Sequence, residues 1–250
     1  LDKAGLSNQI VGNWLRKEWN FSNSVGICLK LGKLDGTRIL TEDNITNSFN
    51  VSLTKLQVPK IKVLMLHHWM QGSDVQEVAQ TLANLKSQNL VEFIGVSNFY
   101  LDTILTLSKE LKRINGPRIT VIQGHYNLIE RDSSKYSYDE YSKRTNTSME
   151  SEIIPWLRRN HAVFMPYHAL CRGVLTGKYH NFRSTTESIH RSRIQKYLNG
   201  HVDELILRMK YVAAQHGVTL SAIAIAWIKA QYNLAVPVVS FSTPEQVFEL

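Results

Sequence analysis

The sequence predicts a parallel α/β barrel, and three observations carry that prediction. Short apolar strands alternate with helices six times along the chain. The strands are continuously apolar rather than alternating, as strands covered by helices on both faces must be. Polar residues gather just after the strand ends, at Lys30, His67, Ser97, Asn98, Gln123 and Tyr167. A doubly wound sheet shares the first two features, but no Gly-x-Gly-x-x-Gly follows any strand, which counts against a Rossmann-type fold. A (β/α)8 barrel sets all strand C-termini on one face, where the active site lies. Six of its eight strands are legible, so the expectation is a single barrel domain over residues 1–250 that is truncated at both ends.

The elements follow in order. Ser7 is placed to cap a helix whose apolar face uses Ile10, Val11, Trp14 and Leu15. Val25 to Leu29 reads as a strand that ends at Lys30. Glu42 to Leu56 is helical, and Ile61 to Leu66 is a buried strand that delivers His67, His68 and Trp69. Val75 to Leu90 is a helix, Phe93 to Val96 a strand, and Leu101 to Ile114 a helix with Gly116-Pro117 as its stop signal. Ile119 to Gln123 is the fourth strand. Arg131 to Ser151 is a Ser-, Lys- and Tyr-rich excursion without an apolar period, and Glu152 to Arg159 resumes the helical pattern. Ala162 to Met165 is a strand stopped by Pro166. A second polar insertion covers His180 to Gly200. Two helices follow, one using Val202, Leu205, Ile206 and Met209, the other Leu220, Ile223, Ala224, Trp227 and Ile228. Ala235 to Val239 is the last strand, and a helix begins near Thr243. The first and last strands should leave open edges, with a gap in the barrel beside Lys30.

Composition removes several function classes. No apolar run is long enough to span a membrane. Two cysteines, Cys28 and Cys171, make no disulfide framework, so a reducing, cytoplasmic setting is the default. The formal charge of +8 is scattered rather than striped with aromatics, which argues for a polyanionic small molecule over nucleic acid. Adjacent His67 and His68 should face opposite ways, and no carboxylate or cysteine stands at ligand spacing beside them, so no metal site is expected. Oligomeric state is not legible.

The most informative stretch runs from Phe164 to Tyr179. Tyr167 is displayed at a strand end, followed by a loop carrying Gly173, Gly177, Arg172 and Lys178. A flat ring beside a basic, glycine-bearing loop suits a nucleotide, because the ring can stack on a base while the loop holds phosphate. Ser97-Asn98 has a plainer reading as a helix cap, whereas Gln123 ends an apolar strand and needs hydrogen-bond partners for its amide.

Four motifs then fall in one family's order: Ile94-Gly-Val-Ser-Asn-Phe, Ile122-Gln-Gly-His-Tyr-Asn-Leu, the Tyr167 loop through Leu-Thr-Gly-Lys-Tyr, and Ser242-Thr-Pro-Glu-Gln. Over nearly its whole length the chain resembles an aldo-keto reductase. Gly5 to Leu15 and Ser192 to Tyr197 look most like its Tas-like branch. The resemblance implies NADPH-dependent reduction of aldehydes or ketones by the intact protein; its alternative is a non-catalytic NADP(H)-binding regulatory or interaction subunit. It implies that Ser97, Asn98 and Gln123 hold the nicotinamide carboxamide and that Tyr167 stacks on the ring. His168, Leu170, Arg172 and Gly173 would line the pyrophosphate loop, with Lys178 and Arg193 meeting phosphate. Ser240, Ser242, Gln246 and Glu249 would hold the adenosine end. Lys30 and His67 match two members of the catalytic tetrad, Lys30 lowering the pKa of the family's acid and His67 orienting the carbonyl. The tetrad's Asp and Tyr belong upstream of Leu1, so the 250 residues as written are expected to be nearly inert, and their open apolar strand edges should make them poorly soluble.

Overall fold

The computed structural model describes residues 5–18, 25–32, 39–131, 148–179 and 194–249. They fall into two units, Leu1–Ile122 and Gln123–Leu250. In the first, strands β1 (Cys28–Leu31), β2 (Ile61–Leu66), β3 (Val91–Ser97) and β4 (Ile119–Gln123) lie side by side in chain order, β1 at the edge. β1 to β3 are parallel, with Leu29 opposite Leu64 and Leu64 opposite Ile94. Ile61, Leu64, Met65, Leu66 and Val96 are fully buried, each worth about 1.5–3 kcal/mol of burial.

Among the described residues, four helices accompany these strands: α1 (Leu6–Lys17), α2 (Glu42–Leu56), α3 (Val75–Ser87) and α4 (Leu101–Arg113). Thr41 caps α2 by accepting from the Asn44 N–H at 3.2 Å, and Asp74 caps α3 by accepting from Gln76 at 2.7 Å. α3 stops at Ser87, short of Leu90, because Asn89 turns into the left-handed region at φ 57°.

α1 differs from its expectation in two ways. Gly5, at φ 78°, precedes its first residue and Ser7 lies inside the first turn, so Ser7 is not the cap. Its contact face is also rotated. Gly12 and Leu15 are buried, while Ile10 (58% exposed), Val11 (37%) and Trp14 (44%) are not. Gly12 sets this rotation: a Cβ there would come within 2.5 Å of the Lys55 carbonyl oxygen, so α1 meets the end of α2 backbone to backbone.

The second unit is more irregular. β5 is only Val163–Phe164. The Phe164 N–H donates to the Leu234 carbonyl at 3.1 Å, and the Val236 N–H donates back to the Phe164 carbonyl at 2.7 Å. The expected strand Ala235 to Val239 therefore runs beside β5, but only Ala235 forms a regular bridge. Pro166 explains the shortfall: it accepts from Val238 at 2.8 Å and has no N–H to return.

The helix expected from Glu152 starts earlier, as a wide turn over Met149–Ile153 that runs into α5 (Ile154–Asn160). Pro155 cannot donate to a carbonyl four residues back, and the widened turn accommodates it. Ser148 caps that turn, so the polar excursion ends before Ser148; residues 132–147 and 180–193 lie outside the description. The second polar insertion carries a short 3₁₀ turn, Gln195–Tyr197, and is followed by α6 (Gly200–His216) and α7 (Leu220–Gln231). The helix expected near Thr243 is a 3₁₀ turn, Glu245–Glu249. Leu175, Ile194, Tyr197, Ile206 and Met209 form this unit's buried cluster. Among the described residues, no single helix is long and apolar enough to cross a membrane.

Candidate functional site

In the first unit, Lys30 lies within β1 rather than after it. It shares the more open face of that strand with Cys28, while Leu29 and Leu31 are buried behind. The surroundings crowd the ammonium even though its side chain keeps solvent contact, and this desolvation lowers its pKa below the ordinary lysine value. Burial likewise raises the Cys28 thiol.

His67 follows the end of β2, its N–H donating to the Leu31 carbonyl at 2.7 Å. The two histidines do not face opposite ways. Their rings meet edge to face with centroids 4.8 Å apart, and the two Nδ1 atoms are 3.2 Å apart. Two-residue alternation holds only inside a strand, and β2 ends at Leu66. Trp69 packs edge-on against Phe99, with centroids 5.8 Å apart. Ser97, the last residue of β3, is fully buried, and its hydroxyl accepts from Asn98 Nδ2 at 3.2 Å. Asn98 is held at φ 56°, a conformation that asparagine tolerates. Neither residue caps α4, whose N-cap is Tyr100, so the plainer reading of this pair fails.

In the second unit, a cleft of about 730 Å³ brings together nine residues singled out from the sequence. Tyr167, His168, Leu170, Arg172 and Gly173 form one wall; Ser240, Ser242 and Gln246 form another, and Lys178 completes the set. Gln123 is buried at the end of β4 and does not line the cleft. Arg193 and the side chain of Glu249 lie outside the described residues.

The Tyr167 wall has an unusual backbone. His168, Cys171 and Arg172 have φ of 57°, 46° and 55°, and Gly173 has 87°. Lys178 folds over the bare Cα of Gly173, where a Cβ would sit 2.8 Å from its Nζ and push that flexible side chain aside. Two cations thus face the cleft, and none of its described lining residues is acidic. Ser221, in the first turn of α7, adds a helix N-terminus to the lining, a favourable place for negative charge. On the far wall, Gln246 Oε1 accepts from the Ser242 N–H at 2.8 Å and fixes that turn.

Sequence reasoning missed Ser221, Thr176 and Phe241 among the lining residues. Thr176 lies within a motif already singled out, and its hydroxyl donates to the Gly173 carbonyl at 2.8 Å. Ser221 could have been found from the Thr219 cap that opens α7.

A buried polar group lies next to the Tyr167 wall. Glu130, 3% exposed at its side chain, meets His125 Nε2 at 2.5 Å and Lys196 Nζ at 3.0 Å, and accepts from the Tyr197 hydroxyl. Burial alone would raise this carboxyl, but its bonds to His125, Tyr197 and Lys196 prevail and hold its pKa at about 2. Burial, reinforced by the Glu130 charge, pushes the Cys171 thiol up to about 12, so it stays protonated at neutral pH. No cluster of three or more metal-ligating side chains occurs among the described residues.

The family model for the aldo/keto reductase family matches residues 3–250. Aldo-keto reductase YhdN of Bacillus subtilis is 27% identical over 240 residues, covering 91% of this chain and 64% of that protein. Human aflatoxin B1 aldehyde reductase member 2 is 24% identical over 221 residues, 84% of this chain and 56% of that protein. The chain therefore spans between about half and two-thirds of the length of the curated relatives it matches. Among solved structures, glycerol dehydrogenase AKR11B4 from Gluconobacter oxydans superposes with a TM-score of 0.78 at 24% identity, over 97% of this chain and 70% of that one. That likeness establishes the fold class, that of a (β/α)8 barrel.

Proposed function

The chain belongs to the aldo/keto reductase family, and from that premise we propose that the intact protein reduces aldehydes or ketones with NADPH. The observation that carries this reading is the cleft of the second unit, which combines an aromatic ring, two cations, a helix N-terminus and the hydroxyls of Thr176, Ser240 and Ser242, with no acidic residue among its described lining residues. Such a donor set fits a dinucleotide. Tyr167 would stack on the nicotinamide, Arg172, Gly173 and Lys178 would hold the pyrophosphate, and Ser240, Ser242 and Gln246 would take the adenosine end. The nicotinamide, when bound, supplies the hydride. Ser97, Asn98 and Gln123 are assigned to its carboxamide, and Lys30 and His67 to the carbonyl end, through their match to the family's motifs.

The Ser240–Ser242 segment, at the adenosine end, favours the extra phosphate of NADPH over NADH. Fluorescence titration of the intact protein with both should show tighter NADPH binding; equal affinities, or tighter NADH, would sink this preference. Tight NADPH binding with no carbonyl turnover would favour a regulatory subunit of the same fold instead.

Tyr167→Ala should weaken NADPH binding by about 1–3 kcal/mol, as loss of an aromatic stacking partner does for nucleic-acid bases. Tyr167→Phe should retain most of the affinity. Equal damage from both substitutions would move the role from the ring face to the hydroxyl.

A further inference from the structure

Glu130 is buried and charged, yet it is not among the residues that line the cleft. Its bonds converge on the wall that does. Three non-glycine residues of that wall, His168, Cys171 and Arg172, occupy the left-handed region, a strained conformation that persists only where the surroundings fix the backbone.

The fixing groups surround Glu130. Asn127 Nδ2 donates to the His168 carbonyl at 3.1 Å, and its Oδ1 accepts from the N–H groups of Ile129 and Glu130 at 2.9 and 2.8 Å. The amide is thereby clamped by the turn that carries Glu130. The His125 ring, bonded to one carboxylate oxygen, lies against Tyr167 and His168 with centroids 5.3 and 5.0 Å away. Tyr197, bonded to the other oxygen, meets the Cys171 thiol. One carboxylate therefore anchors both halves of the wall, His125 reaching Tyr167 and His168 while Tyr197 reaches Cys171.

We infer that Glu130 is a positioning residue for ligand binding. It holds the Tyr167–Gly173 wall in its left-handed form, and so sets affinity for the nicotinamide–pyrophosphate half of the dinucleotide without touching it. This rests on the NADP(H) reading above. Tyr197 is its relay to Cys171, and His125 its relay to Tyr167.

The test compares two ligands by calorimetry on the intact protein, well below its melting temperature: NADPH, and adenosine 2′-monophosphate, which engages only the Ser240–Gln246 wall. Glu130→Gln should weaken NADPH by at least about tenfold, since small misplacements of positioning groups are costly, and Tyr197→Phe should weaken it in the same direction. Both variants should bind adenosine 2′-monophosphate as wild type does. A merely structural role would lower thermal stability and leave the two affinities unchanged, or reduce the competent fraction equally for both ligands; either result overturns the inference. If Glu130→Gln does not fold, Tyr197→Phe decides, and unchanged NADPH affinity in that variant overturns it. Wild-type protein that binds neither ligand would refute the NADP(H) reading and the inference together, whereas wild-type binding without selective loss refutes the inference alone.

Discussion

Glu130→Ala is expected to destabilise the chain by about 3–5 kcal/mol at neutral pH, the usual penalty for removing one member of a buried ionic group. Its carboxylate is 3% exposed and bonded to His125, Lys196 and Tyr197. Truncation leaves those three polar groups facing a hole from which water is largely excluded. The effect has a defined pH dependence. The folded carboxyl is held at about 2, below its ordinary 4.5. The unfolded chain therefore takes up the proton first as pH falls. The stabilisation is fully present above the unfolded value and disappears as pH drops from there through the folded value. Linkage puts it on the order of 3 kcal/mol. Denaturant titrations should show a wide gap between wild type and Glu130→Ala at pH 7, narrowing steadily between pH 5 and pH 3. A gap below about 1 kcal/mol at pH 7, the level of a surface pair, would show that the group is ordinary. A gap that does not change with acid would show that the carboxylate's charge is irrelevant.

Nothing in the sequence announced this group, and the reason is physical. Glu130 ends the stretch that begins with the Ile122 motif, at the rim of a polar excursion where an acidic residue looks solvated. Its burial depends on Lys196 and Tyr197, which stand 66 and 67 positions further along, in a segment whose polarity gave no hint of a buried cluster. Local pattern served well where local forces decide. β2 and β4 match the apolar runs 61–66 and 119–123, and α2 spans the expected 42–56, fixed by the Thr41 cap and by Gln57 at φ 55°. It failed where one residue changes the geometry. Gly12 turns the contact face of α1, Pro166 interrupts the ladder beside Ala235, and Pro155 widens the turn before α5. The cleft was legible because its residues cluster in two short stretches, 167–178 and 240–246. Ser221 escaped notice because a serine in the first turn of a helix looks like part of the capping region.

Lys30→Met is expected to lower carbonyl turnover by the intact protein about 10²–10³-fold, the range seen when one preorganised charge-stabilising group is removed. Lys30 pairs in register with Met65 and displays its ammonium on the open face of β1, opposite the buried Leu29 and Leu31. Desolvation lowers its pKa, and burial raises that of the neighbouring Cys28 thiol on the same face. A partly desolvated cation stabilises an adjacent anion more strongly than a solvated one, as the family's proton-donating phenol requires of its lysine. Methionine keeps an unbranched stem and removes only the charge. The loss should therefore fall on kcat and on kcat/KM alike, with NADPH affinity changed by less than about twofold, the signature of an interaction made in the transition state. Lys30→Arg keeps the charge but spreads it over a planar fork, and should recover only part of the rate. Cys28→Ser, on the same face, should leave turnover close to wild type. Lys30→Met protein that keeps its turnover to within about tenfold would remove Lys30 from the tetrad, and loss of NADPH binding in that variant would place its role with the cofactor rather than with the carbonyl.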